Sequence, residues 1–183
     1  MPDQQLCIDQ VRRWLETIVI DLGLCPFAER ELFHQRIRFS VTDANEEVDL
    51  LIALEAELRR LQHDNSIETT LLIHPNALTA FDKYNQFLDL AEGFLAQLQM
   101  QGVYQIASFH PDYQFANTDP QDAENYTNRS PYPMLHILRE TSVSQAIASH
   151  PDIDRVPTRN IALMQQLGGD ELARRLAACM VAD

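Results

Sequence analysis

Three short apolar runs separated by helical patterns constrain the fold of this chain most strongly. Ile37–Val41 alternates apolar and polar residues, whereas Thr69–Ile73 and Tyr104–Phe109 are apolar and rich in strand-forming residues. Between them, residues 43–61 and residues 80–99 repeat apolar side chains every three or four positions, which is typical of amphipathic helices. Consecutive strands joined by a helix pair in parallel by default, through a right-handed crossover. The pattern predicts an α/β fold.

The flanking segments extend this fold with one more strand and several helices. Residues 135–138 predict a fourth strand. Amphipathic helices are predicted over residues 6–22, 142–149, 158–167 and 170–180. A chain of 183 residues suits one domain, which buries roughly 70% of its unfolded surface. We therefore predict a single globular domain over residues 1–183, with a small mixed sheet of about four strands and helices packed on it.

The charge and the cysteines exclude several classes of protein. A formal net charge of −13 argues against a nucleic-acid or anionic-membrane partner, because both require a basic surface. No segment approaches the ~18 consecutive apolar residues of a membrane span, and the first ten residues lack the pattern of a signal peptide. Cys7, Cys25 and Cys179 are widely spaced, without a C-x-x-C pair, which is typical of a reducing compartment. We expect a cytoplasmic protein.

We expect the function to reside in the irregular segment of residues 108–140, because of its chemistry. Between two apolar runs it holds more than twenty residues, with four prolines and no sustained period. Connections longer than about 12–15 residues are uncommon in compact domains and are usually functional or disordered. Disordered segments are poor in aromatic residues, whereas this one contains Tyr113, Phe115, Tyr126 and Tyr132. We expect an ordered loop that builds a pocket.

His110 and Asp112 are the first catalytic candidates. They lie two residues apart where a predicted strand enters the loop, which suits a general base with a carboxylate beside it. His74 follows another strand, and if the two strands are parallel neighbours both histidines reach the same edge of the sheet. The same residues are alternatively metal ligands, with His74 or His136 as a third, although no metal-binding spacing supports this. A structural alternative has His110 closing the strand and Asp112 forming an Asx-turn.

A polar cluster at the end of the loop is the candidate binding site for a small anionic molecule. Asn128, Arg129 and Ser130 stand together before two prolines, and a guanidinium matches two oxygens of a carboxylate or phosphate. The alternative is that the loop satisfies itself, with Arg129 paired to Asp122 or Glu124. The local positive charge is compatible with the acidic composition, because a small pocket needs only one or two cations.

Tyr113 and His136 complete the predicted binding residues. Tyr113 is an aromatic residue of the loop, three positions after His110. His136 shares a face of the fourth strand with Met134 and Leu138, and a single histidine on an apolar face is also typical of a core residue.

Cys25 is the third catalytic candidate. Pro26 suits the first position of a short helix over residues 26–32, which would make Cys25 its N-cap. The amides and dipole of a helix N-terminus lower the pKa of a thiol and make it a better nucleophile. The alternative is a small apolar cysteine that fills space in the core.

Four sequence blocks together resemble a bacterial family, the domain of unknown function 1415. They are LGLCPFA at 22–28, TTLLIHP at 69–75, ASFHPDYQFA at 107–116 and NYTNRSPYPMLHILRE at 125–140. The resemblance covers nearly the whole chain in the same order, but it implies neither an activity nor catalytic residues. The segment from Cys25 to Arg30 also resembles the active-site segment of omega-class glutathione transferases, in which a cysteine caps a helix after a buried strand.

Three classes of function remain open at this point. The first is an enzyme of unknown reaction acting on a small anionic metabolite, with Arg129 as the anion contact and His110, Asp112 or Cys25 as chemical groups. The second is a non-catalytic ligand-binding or regulatory domain, and the third is an acidic interaction module with the loop as its epitope. The five glycines form no phosphate-binding motif. Neither a cofactor nor an oligomeric state is indicated.

Overall fold

Strands and helices alternate through the middle of the chain, as the apolar runs predict. A computed structural model describes residues 3–150 and 152–181. Its strands are β1 (Ile37–Val41), β2 (Thr69–Ile73), β3 (Tyr104–Phe109) and β4 (Met134–Arg139). Its α-helices are α1 (Gln4–Trp14), α2 (Ala28–Phe33), α3 (Glu47–His63), α4 (Phe81–Gln97), α5 (Glu140–Ser149), α6 (Val156–Leu167) and α7 (Gly169–Cys179). A π-helix (Leu15–Ile20) continues α1, and 3₁₀ turns lie at Ala123–Thr127 and Ile153–Arg155.

The four strands form one mixed sheet in the order β1-β2-β4-β3. β1 and β2 are parallel, whereas β4 runs antiparallel to both of its neighbours. The predicted α/β fold with a mixed sheet is therefore confirmed. β2 and β3 run in the same direction but are not direct neighbours, because β4 lies between them. Their carboxyl ends still share one edge, because Ile73 and Phe109 both pair with Met134.

Helices cover both faces of the sheet. Along β2, which is buried throughout, successive side chains enter two different hydrophobic clusters. Leu72 packs with residues of α3 and α4 on one face. Leu71 and Ile73 pack with residues of α1, the π-helix, α6 and α7 on the other. The carboxyl ends of β2 and β3 therefore lie between two helical layers, and the long loop leaves from this edge.

Local backbone geometry explains the boundaries of two predicted helices. The helix predicted over residues 6–22 is α1 with its π-helical extension, and it ends before Gly23, whose φ of +64° favours glycine. The helix predicted from residue 43 begins at Glu47 instead. The Thr42 hydroxyl accepts a hydrogen bond of 3.2 Å from the Ala44 amide, which holds these residues in a turn.

Cys7, Cys25 and Cys179 are all free thiols. Among the described helices, none combines the length and the apolar composition that crossing a bilayer requires.

Candidate functional site

The two ends of the long loop are joined by hydrogen bonds beside the end of β3. The His110 amide donates to the Asn128 carbonyl at 3.2 Å. The Asn128 side-chain amide donates to the Ser108 carbonyl at 3.0 Å. These bonds continue the edge of β3 with loop backbone, so residues 110–133 fold back onto the sheet and are not splayed outward.

Asn125 organises the interior of the loop. Its side chain is fully buried. Its Oδ1 accepts hydrogen bonds from the Phe115 amide at 2.9 Å and the Thr118 hydroxyl at 2.8 Å. Its Nδ2 donates to the Asp119 carbonyl at 2.8 Å. Asn125 belongs to the polar cluster at the end of the loop, and its bonds to the loop backbone agree with the structural alternative in which the loop satisfies itself.

Arg129 is held in place by the loop backbone and by an aromatic ring. Its Nε donates to the Tyr113 carbonyl at 3.2 Å, and Nη2 donates to the Pro120 carbonyl at 2.7 Å. The guanidinium carbon lies 4.5 Å from the centre of the Tyr126 ring, in cation–π geometry. The Arg129 carbonyl accepts a hydrogen bond of 3.0 Å from the Trp14 indole, which ties the loop to α1.

Neither Asp122 nor Glu124, the two acidic residues proposed as partners of Arg129, neutralises its charge. Asp122 accepts a hydrogen bond from the Asp119 amide at 2.8 Å, and Glu124 contacts Gln165 at 3.5 Å. Within the described ranges no carboxylate forms an ion pair with Arg129. The side chain is only half-buried. The loop therefore presents a fixed, half-buried guanidinium whose positive charge has no carboxylate partner among the described residues.

His110 is buried and both of its ring nitrogens are occupied. Its Nδ1 accepts a hydrogen bond of 3.0 Å from the Asp112 amide, so Nε2 carries the proton and donates to the Leu78 carbonyl at 3.1 Å. The side chain has no exposed surface, and burial lowers the pKa of the imidazole. The ring is therefore neutral and positions the start of the loop. The Asp112 side chain is exposed, and it is the backbone of Asp112 that contacts His110.

His74 and His110 do reach the same edge, where they flank Tyr84 of α4. The centres of the His74 and Tyr84 rings lie 5.9 Å apart in a stacked arrangement, and those of Tyr84 and His110 lie 5.1 Å apart. His74 contacts the Ala77 carbonyl through Nδ1 at 2.9 Å, and burial lowers its pKa to about 4. Tyr84 lies in the amphipathic helix predicted over residues 80–99, and its ring is on the buried face of α4. The pattern gave no sign of its role in this cluster.

Ser130 and His136 have well-defined partners in the interior. The Ser130 hydroxyl is buried and donates to the Tyr132 carbonyl at 2.7 Å. The Nε2 atom of His136 lies 2.8 Å from the Thr69 hydroxyl, and its ring packs 6.0 Å from that of Phe109. Burial lowers the pKa of His136 to about 4. His136 points to the face of the sheet opposite His74 and His110, so it is not part of their cluster.

Cys25 does not cap a helix, and that prediction is wrong. α2 begins at Ala28 with Phe27 as its N-cap. Residues 25–27 form a turn in which the Ala28 amide donates to the Cys25 carbonyl at 3.4 Å. The thiol is half-buried and packs beside the cluster that contains α1. The segment before Cys25 is helical and not a buried strand, so the likeness to omega-class glutathione transferases is not supported by the fold.

No metal centre forms at the loop among the described residues. No group of three His, Cys, Asp or Glu side chains in these ranges has the arrangement of a metal site. Two clefts of the structure lie beside β1, with volumes of about 500 Å³ and about 710 Å³, and loop residues line neither of them. The candidate site at the loop is therefore centred on the half-buried side chain of Arg129.

Comparison with known proteins identifies a family without a described activity. The model of the family described as "Protein of unknown function (DUF1415)" matches residues 6–174. This span contains the four sequence blocks on which the resemblance was based. No curated protein and no solved structure matches the chain.

Proposed function

The chain belongs to the DUF1415 family, whose description assigns no function, and from the site itself we propose that it binds a small anionic molecule through Arg129. The proposal rests on the fixed position and the unneutralised charge of the Arg129 guanidinium. It is fixed by the carbonyls of Tyr113 and Pro120 and by the Tyr126 ring, yet no described carboxylate neutralises it.

Such a guanidinium is well suited to bind a carboxylate or phosphate. Its planar fork offers two parallel N–H groups to two oxygens of the ligand. Because Nε and Nη2 are already held, less side-chain entropy is lost on binding than for a freely moving arginine. The described residues leave the N–H groups of Nη1 without a hydrogen bond. With a net charge of −13, the protein as a whole repels anions. A single fixed cation therefore favours binding of one particular anionic ligand, and not a general attraction of anions.

A second candidate function is an enzyme that acts on the bound anion, and the position of Asp112 favours it. Its exposed carboxylate is adjacent in sequence to Tyr113, whose carbonyl holds Arg129. In this candidate Asp112 is the acid or base, and His110 fixes its backbone through the 3.0 Å bond to the Asp112 amide. Cys25 has no hydrogen bond to the described part of the loop, although it borders the same hydrophobic cluster as Tyr126.

Phosphate binding by single-residue variants tests the proposal. Inorganic phosphate is titrated by calorimetry at constant ionic strength into the parent, Arg129→Gln and Arg129→Lys proteins. Loss of the charge-assisted bonds in Arg129→Gln should weaken binding by roughly 1.5–3 kcal/mol, and Arg129→Lys should bind with intermediate affinity. Arg60→Gln is the matched control, because Arg60 is an exposed arginine on α3. Equal binding by Arg129→Gln and Arg60→Gln would refute the assignment of Arg129.

Asp112→Asn separates binding from catalysis. Removing the carboxylate should leave phosphate binding intact or strengthen it, because a negative charge near the anion is lost. If an activity on a phosphate or carboxylate compound is found, the same variant should abolish it. Unchanged turnover by Asp112→Asn would remove Asp112 as the acid or base and leave the binding proposal in place.

The compartment is part of the same proposal. We place the protein in the cytoplasm, because all three cysteines are free thiols and such usage is typical of reducing compartments.

A further inference from the structure

Two aromatic side chains of the long loop lie outside the hydrophobic core. Tyr113 and Phe115 are half-buried, and among the described residues neither belongs to the hydrophobic cluster on either face of the sheet. Tyr126 and Tyr132 of the same loop, by contrast, both pack against the cluster that contains α1. Packing of the core therefore does not account for the aromatic character of Tyr113 and Phe115.

Phe81, Tyr113 and Phe115 form a row of rings, which we call the aromatic row. The centres of the Phe81 and Tyr113 rings lie 5.3 Å apart, and those of Tyr113 and Phe115 lie 5.0 Å apart in an edge-to-face arrangement. At its inner end, the Phe81 ring lies 5.4 Å from the buried ring of His110. Within the described ranges Phe115 has no other ring contact, so it is the outer end of the row.

Arg129 closes the loop segment that carries the outer part of the aromatic row. Its Nε donates to the Tyr113 carbonyl at 3.2 Å, and its Nη2 donates to the Pro120 carbonyl at 2.7 Å. The guanidinium therefore joins the two ends of residues 113–120. The Cα atom of Phe115 is at most about 7 Å from that of Tyr113, because it is only two residues along the chain. A small molecule bound to Arg129 is therefore close to both aromatic residues.

The backbone of Phe115 is held as firmly as the guanidinium of Arg129. The Phe115 amide donates to Oδ1 of the buried Asn125 at 2.9 Å. The Phe115 carbonyl accepts hydrogen bonds from the Thr118 hydroxyl at 2.9 Å and from the Thr118 amide at 3.3 Å. Because the cation and the backbone beneath the ring are both fixed, a ligand that contacts both loses less of its binding energy to ordering the loop.

We propose that the anion bound by Arg129 carries an aromatic ring, which packs against Phe115 and Tyr113. This inference rests on the proposed function of Arg129 and adds the class of ligand, an aryl phosphate or aryl carboxylate. The guanidinium fork binds the oxygens of the anionic group. The ring of the ligand packs in an offset-stacked or edge-to-face arrangement on the outer end of the aromatic row. An inorganic anion would leave these two side chains without a partner.

Phenyl phosphate and methyl phosphate separate the contribution of the ring from that of the charge. Both esters are titrated by calorimetry into the full chain at constant ionic strength and about pH 8, where each carries nearly two negative charges. The parent should bind phenyl phosphate about tenfold more tightly than methyl phosphate. Phe115→Leu should reduce this ratio to about twofold, because only phenyl phosphate loses a ring contact. Phe33→Leu is the matched control and should keep the parent ratio, because Phe33 is 81% exposed on α2.

The outcomes distinguish the class of ligand from the anion contact itself. Circular dichroism checks that each variant folds, and Tyr113→Leu, which keeps the backbone carbonyl, is a second variant that should also lower the ratio. Equal affinity of the parent for the two esters, with both lost in Arg129→Gln, would overturn the aromatic class and leave Arg129 as an anion contact. A preference for phenyl phosphate that persists in Phe115→Leu and Tyr113→Leu, or in Arg129→Gln, would also overturn it. If neither ester binds the parent, the anion contact and its aromatic class are both refuted.

Discussion

The Tyr84 hydroxyl donates a hydrogen bond of 2.7 Å to the Met134 carbonyl. The same oxygen accepts a bond of 3.0 Å from the Phe109 amide, the partner of Met134 across the ladder. One side chain of α4 therefore joins the two strands between which the loop leaves and returns. Because the Tyr84 ring also contacts His74 and His110, the whole edge beneath the loop depends on it.

Removing this hydroxyl should destabilise the protein without changing its fold. Tyr84→Phe leaves a carbonyl and an amide without their partner, which should lower the free energy of unfolding by about 1–3 kcal/mol. Urea denaturation, monitored by circular dichroism, measures this change in the free energy of unfolding. Tyr104→Phe is the matched control, since the Tyr104 hydroxyl makes only a 3.4 Å contact with Arg139. Equal losses of unfolding free energy in Tyr84→Phe and Tyr104→Phe would show that the Tyr84 hydroxyl makes no specific contribution to stability.

Loss of the Asn125 side chain should loosen the loop more than the sheet. Asn125→Ala removes three hydrogen bonds that hold residues 115–119, so these residues should be cleaved faster in limited proteolysis. Gln121→Ala, at an exposed position of the same loop, should behave like the parent. If both variants are cleaved at the parent rate, Asn125 is not the organiser of the loop.

Stability should fall on acidification because of two buried histidines. Burial lowers the pKa of His74 and of His136 to about 4, whereas an unfolded histidine titrates near 6.5. Between these values the unfolded chain binds more protons, so the free energy of unfolding increases with pH across this window. His74→Gln or His136→Gln should reduce that slope by about 1.4 kcal/mol per pH unit. Substitution of the exposed His63 provides the control. If His74→Gln and His136→Gln both leave the dependence of the unfolding free energy on pH unaltered, the lowered pKa values of His74 and His136 are contradicted.

Cys25 should react with a thiol reagent faster than the other two cysteines. Cys7 and Cys179 are 0% and 1% exposed, whereas Cys25 is half-buried. Labelling of the folded protein near neutral pH, followed by peptide mass spectrometry, should show Cys25 modified about tenfold faster or more. The reason is access to the thiol, since Cys25 does not cap α2. Similar rates at all three cysteines would reduce Cys25 to a packing residue.

The residues that form the strands were predictable, because an apolar run or an apolar–polar alternation is a local pattern. The order of the strands in the sheet was not predictable. Ile37–Val41, Thr69–Ile73 and Tyr104–Phe109 are strands with the predicted bounds. The insertion of β4 between β2 and β3 depends on a loop long enough to return antiparallel, and no local pattern encodes where such a strand pairs.

The candidate residues of the loop could be selected from the sequence, but their hydrogen-bond partners could not. His110, Asn128, Arg129 and Tyr113 do come together at the loop ends. Most of their hydrogen bonds go to backbone atoms, and a sequence pattern of side chains does not reveal these. For the same reason His110 was assigned as a base, although its ring nitrogens contact the Leu78 carbonyl and the Asp112 amide.

The proposed anion contact is tested most directly by observing the guanidinium of Arg129 itself. Two-dimensional ¹H–¹⁵N spectra resolve arginine Nε–H signals, and Arg129→Lys identifies the signal of Arg129 by its loss. During titration with inorganic phosphate at constant ionic strength, the Arg129 signal should shift and saturate, while that of the control residue Arg60 should not. A saturating shift confined to Arg129 is the predicted result. An Arg129 signal that stays fixed at every phosphate concentration, or that moves no more than the signal of Arg60, would contradict the account.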